Sequence, residues 1–159
     1  MSVRFVKPGI ALGALGLLLA GCASPEGVTV SDPWVKATDS SMSALFATLE
    51  NTESTGVTLV AASADFAPTV EIHEVVDGVM REKSEGVTLP AGTVVALEPG
   101  ADHVMLMGLS EELAAGDTVT ISLEFSDGSF SEVEALVKDY AGANEEYDPH
   151  HSEGMGAGE

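Results

Sequence analysis

From Val28 to Val137 the chain is a succession of short apolar, β-branched runs cut at close intervals by turn residues, and no stretch carries a long helical period. The runs are Val28–Val30, Trp34–Lys36, Ala44–Leu49, Gly56–Ala62, Thr69–Val76, Val79–Lys83, Thr93–Leu97, His103–Leu109, Thr118–Phe125 and Ser129–Val137. Two of the breaks are Asp-Gly pairs, Asp77-Gly78 and Asp127-Gly128. Asp-Gly between strand-like runs is a strong hairpin signal, because tight hairpin turns need residues that tolerate positive φ. Thr118–Phe125 alternates, so Val119, Ile121, Leu123 and Phe125 share the inward face. Many short strands at even spacing predict an all-β sandwich or barrel. Ser110–Ala115 leaves room for one helical turn.

The ends differ in composition from this region. Arg4 and Lys7 precede an apolar stretch from Ile10 to Ala20, which is short for a membrane-spanning helix and reads as a secretory signal. Leu18-Leu19-Ala20-Gly21-Cys22 resembles a bacterial lipobox, implying cleavage before Cys22 and lipidation of its thiol. The alternative is an ordinary signal with an incidental cysteine. The expected organisation is a signal at 1–21, a lipidated tether at 22–27, a β-domain at 28–140 and a flexible acidic tail at 141–159. Cys22 is the single cysteine, so the domain has neither a disulfide nor a thiolate ligand. The formal charge of -20 excludes nucleic acid as a partner and leaves membrane attachment to the lipid anchor.

Candidate chemistry sits in the middle of the chain. In a strand, His103, Met105 and Met107 point one way while Val104 and Leu106 point the other. His73 lies in Val70-Glu71-Ile72-His73-Glu74-Val75, and the turn at Asp77-Gly78 returns the chain through Val79-Met80-Arg81-Glu82. Met80 and Glu82 share a face and fall across from the His73 strand. Imidazole and thioether form a soft donor set that suits copper, Cu(I) above all. Closing the site requires the His103–Met107 strand to lie beside this hairpin. Met42 reads as packing and Trp34 as a core anchor. His150-His151 in the acidic tail offers a place for Cu(II), or is simply a solvated end.

Glu71-Ile72-His73-Glu74, Gly78-Val79-Met80-Arg81, Leu89-Pro90-Ala91-Gly92, Leu97-Glu98-Pro99-Gly100, His103-Val104-Met105-Leu106-Met107-Gly108-Leu109 and Ala115-Gly116-Asp117-Thr118-Val119 resemble the periplasmic copper chaperone family, PCuAC. The similarity runs in order from about Val28 to Val137. It implies a cupredoxin-like, immunoglobulin-like antiparallel β-sandwich of Greek-key type. It also implies Cu(I) held by two His and two Met, with delivery to the copper centre of cytochrome c oxidase. Carried over, His73, His103 and Met105 match three ligands. The family's second Met falls where this chain has Glu82, so Met80 and Glu82 are the two candidates for the fourth. Glu82 is a hard donor better matched to Cu(II) or Zn(II). Met107 reads as core, because the family's ligand falls at Met105.

These observations point to a monomeric, lipid-anchored extracytoplasmic copper chaperone, and the resemblance implies that it serves a copper-accepting protein, either a cytochrome c oxidase subunit or an assembly factor. A blue-copper electron carrier needs a Cys ligand, which the domain lacks. No nucleophile elbow, phosphate loop or zinc-protease motif argues for an enzyme. The alternative is a β-sandwich lipoprotein for adhesion or ligand binding, with His and Met incidental.

Overall fold

The computed structural model describes residues 27–142 and the backbone of 146–147. Its strands are β1 (Val28–Lys36), β2 (Met42–Asn51), β3 (Val57–Ser63), β4 (Thr69–Val76), β5 (Val79–Glu82), β6 (Val87–Leu89), β7 (Val94–Leu97), β8 (His103–Met107), β9 (Thr118–Phe125), β10 (Phe130–Lys138) and β11 (Glu146–Tyr147). Across the sheet the order is β11-β5-β4-β8-β2-β1-β10-β9-β3-β6. β2 is shared on one side, its first half pairing β8 and its second half β7. Contacts between β3 and β4, far apart in that order, show that the sheet folds over on itself into a β-sandwich.

The pairing is mixed rather than wholly antiparallel. β1 runs parallel to β10 (Trp34 beside Leu136), and β11 runs parallel to β5. A parallel pair needs a long connection, and β1 and β10 have nearly the whole domain between them.

Period-two alternation sends one face of each strand into a single main core. On β2, Leu45, Ala47 and Leu49 enter it; on β8, Val104 and Leu106 do; on β9, Ile121, Leu123 and Phe125 do. Leu45, Leu49, Leu59 and Leu106 are fully excluded from water, each worth roughly 1.5–3 kcal/mol. The opposite face of β2 and β8 feeds a second, smaller cluster of Ala44, Phe46, Met80 and Met105. Buried Asn51 is satisfied throughout: Nδ2 donates to the carbonyls of Thr55, Leu89 and Pro90 at 2.9, 2.9 and 3.2 Å, and Oδ1 accepts from Glu53 N–H at 2.9 Å. It ties the end of β2 to β6.

Three local expectations change. Asp32-Pro33 does not separate two strands; the chain bulges between Ser31 and Trp34, with Asp32 at φ 50°, and β1 continues. β6 is a strand too short to announce itself, recruited by pairing with β3. Ser110–Ala115 makes no helical turn. Leu113 is buried against the core and exchanges backbone hydrogen bonds with Thr38 at 3.1 and 3.0 Å, which holds the segment extended.

Candidate metal centre

Register brings the candidate residues together. The β4–β5 hairpin closes with Val76 paired to Val79 over Asp77 (φ 54°) and Gly78 (φ 80°). Positive φ at both central residues is the type I′ geometry, which Asp-Gly accommodates. This turn sets Glu82 opposite His73 and Met80 opposite Val75. On its other side β4 pairs antiparallel with β8, so His73 lies directly across from His103 and Glu71 across from Met105. The adjacency that the sequence left open is therefore direct pairing. Gly108, at φ +76°, ends β8 where a Cβ would come 2.7 Å from Pro68 Cγ, so only glycine fits there without a shift.

Both imidazoles are buried and lie on the face away from the main core, with ring centroids 5.8 Å apart. Each has a ring nitrogen within hydrogen-bond distance of a nearby acceptor. His103 Nδ1 lies 2.9 Å from the Ala101 carbonyl oxygen, which only accepts, so the ring proton is on Nδ1 and the lone pair on Nε2. His73 Nε2 lies 2.9 Å from Glu71 Oε2, a carboxylate oxygen that accepts, so in the neutral ring the lone pair falls on Nδ1. A carboxylate or carbonyl accepting the second N–H is the usual support for a metal-binding histidine. Glu71 went unnoticed as a partner in the sequence, although its i−2 spacing on the His73 face is a usable signal.

Met105 and Met80 are buried in the satellite cluster with Ala44 and Phe46. The Phe46 ring lies 6.0 Å from His103 and 4.5 Å from Trp34, so Trp34 caps this small cluster rather than the main core. A cleft of about 410 Å³ opens onto the face, between the β1–β2 connection and the sheet. His103, Met105, Met80 and Met42 line it, while His73 lies behind. Met107 is half-buried at the edge of the cluster, opposite Met42. Glu82 is half-buried beside His73 and does not line the cleft. His150, His151 and Cys22 lie outside the described residues.

An ion network holds the three strands together. Arg81 donates through Nε and Nη2 to Glu74 Oε1 at 2.9 and 2.7 Å. Lys83 Nζ bonds both Asp102 oxygens at 2.9 Å and lies 3.5 Å from Glu74. Hydrogen bonds from Arg81 hold the Glu74 carboxyl below its usual range, with the charges of Lys83 and Arg81 adding and burial opposing. Burial works against the Lys83 ammonium, yet Asp102 and Glu74 outweigh it and raise its pKa. Asp102 immediately precedes His103, so the network clamps the His73 hairpin to the start of β8.

Among the described residues, no three His, Cys, Asp or Glu side chains converge on a common point. The further donors beside the two imidazoles on this face are the sulfurs of Met80 and Met105. Two imidazoles and buried thioethers make a neutral, soft donor set, suited to a soft monovalent cation.

The fold is that of a PCuAC domain, a cupredoxin-like β-sandwich. The copper-bound PCuAC domain from PmoF2 matches with a TM-score of 0.64 at 19% identity, over 74% of this chain and 97% of that one. Cu(I)-DR1885 from Deinococcus radiodurans matches with a TM-score of 0.54 at 28% identity, over 78% and 85% of the two chains. The chain belongs to the LpqE-like family, "Putative lipoprotein LpqE-like", which it matches over residues 28–137. One relative, "Putative lipoprotein Lxx21020" of Leifsonia xyli subsp. xyli (strain CTCB07), is 40% identical over 152 residues, 86% of this chain and 92% of its own.

Proposed function

We propose that this chain is a lipid-anchored extracytoplasmic carrier of Cu(I), held by His73, His103, Met105 and Met80, that passes the ion to a copper-accepting protein. The observation that carries the reading is the pairing of His73 with His103 on β4 and β8, beside buried Met105 and Met80 and apart from the main core. Met80 is preferred over Glu82 as the fourth donor because it is buried and lines the cleft with His103 and Met105. Thioethers carry no proton to lose and are not thiolates, so such a site suits an exterior that oxidises cysteine. The Cu(I)-bound DR1885 likeness supports the choice of ion. A lipidated Cys22, a domain at 28–140 and an acidic tail whose His150-His151 pair captures Cu(II) complete the reading. The recipient is the copper centre of cytochrome c oxidase or its assembly factor, and the carrier acts as a monomer without catalysis.

Anaerobic Cu(I) titration of the purified chain against a competing chelator tests this. One tight equivalent is expected, lost in His73→Ala and weakened in Met80→Leu but not in Glu82→Gln. A second reading, capture of a small molecule, rests on the cleft volume of about 410 Å³, which is within the range of ligand pockets. Weak Cu(I) binding indifferent to His73→Ala would favour it.

A further inference from the structure

Every methionine among the described residues, Met42, Met80, Met105 and Met107, lies on the same face of the sheet. They are not equivalent. Met80 and Met105 are buried, Met107 is half-buried, and Met42 is 40% exposed at the cleft. Met42 and Met107 are direct cross-strand partners on β2 and β8, one row outward from Ala44 and Met105. One exposed Met is ordinary. Here two flexible thioethers oppose each other at one end of a face whose other end holds two imidazoles and two more thioethers. Directly opposed residues have Cβ atoms about 5 Å apart, within reach of a shared small cation for side chains as long as Met. The next row inward is about 7 Å away, two residues along β8.

We propose that Met42, which lines the cleft, and its cross-strand partner Met107 form a second thioether station, through which Cu(I) passes to and from the buried centre. The inference rests on the copper reading above. The ion moves by ligand exchange: a bond to Met107 sulfur forms as one to an inner donor breaks, with no electron or proton transferred. Two sulfurs bind Cu(I) less tightly than four mixed donors, so the ion resides at the inner centre and only transits the outer one. Met42, the more exposed of the pair, is the sulfur that an incoming partner's donor meets first.

The test uses the full chain, purified in mild detergent and loaded with one equivalent of Cu(I). Transfer to a chelator is timed for wild type and for Met42→Leu/Met107→Leu, since leucine keeps the volume. The double variant is expected to slow transfer about tenfold, a barrier increase of about 1.4 kcal/mol, while equilibrium affinity falls far less. Methyl NMR of labelled methionine with Ag(I), a redox-inert stand-in, follows in a His73→Ala/His103→Ala chain. The Met42 and Met107 methyls are expected to shift there. Transfer at the wild-type rate, or unmoved methyls, overturns the station while leaving the inner centre standing. Equal losses of rate and affinity would assign the pair to the inner centre instead. A wild-type chain that takes up no Cu(I) overturns both proposals.

Discussion

Replacing Glu71 by leucine removes the carboxylate that accepts the His73 Nε2 proton at 2.9 Å. His73 is 0% exposed, so bulk water does not take over that role. Loss of a partner for a buried donor costs about 1–3 kcal/mol of stability. For a domain of this size each kcal/mol lowers the melting temperature by roughly 4 °C, giving an expected drop of about 4–12 °C for the metal-free protein. The bond also fixes the tautomer that leaves the lone pair on Nδ1, so Cu(I) affinity should fall about 10–100-fold, as for other supports of metal-bound histidines. Glu71→Gln is the control. Its amide oxygen still accepts the proton, so the tautomer survives, and only the charge-assisted part is lost, about half the bond's strength. Thermal melts and chelator competition on both variants measure the two effects. A Glu71→Leu protein with wild-type melting and wild-type affinity would refute the argument that this carboxylate orients His73.

Gly108→Ala should lower stability by about 1–3 kcal/mol in urea melts, from a strained positive φ compounded by the 2.7 Å approach to Pro68; an unchanged midpoint would show that the β8 exit relaxes freely. The Glu74 network should give an acid-sensitive increment of stability. Because Arg81 lowers the folded-state pKa of Glu74 below its usual 4.5, that increment is full above the unfolded value and is lost as pH falls through the folded one. Urea midpoints of wild type should therefore converge on those of Glu74→Gln in acid, and a constant gap across the range would exclude the ion pair as its cause.

The β-sandwich is legible in the sequence because its signals are local. Alternation in Thr118–Phe125 depends only on the two-residue period of a strand, and Asp77-Gly78 specifies its turn by its own φ preferences. For the same reason Met105 and Met107 could be assigned to the His103 face from the sequence. β6 and the extended path around Leu113 were not legible, since three residues carry no period and their conformation follows from what they pack against. The site divides in the same way. Residue types and faces are written in the chain, and so is the hairpin that sets Glu82 beside His73. That β8 pairs with β4, bringing His73 across from His103, is a contact between segments some thirty residues apart, decided by which order of strands closes the core. Tertiary structure alone distinguished Met80, turned into the Phe46 cluster, from Glu82, left outside the cleft, and set Met42 against Met107. A strand's own sequence states which side chains share a face, but burial and cross-strand partners depend on neighbours that only the folded sheet supplies.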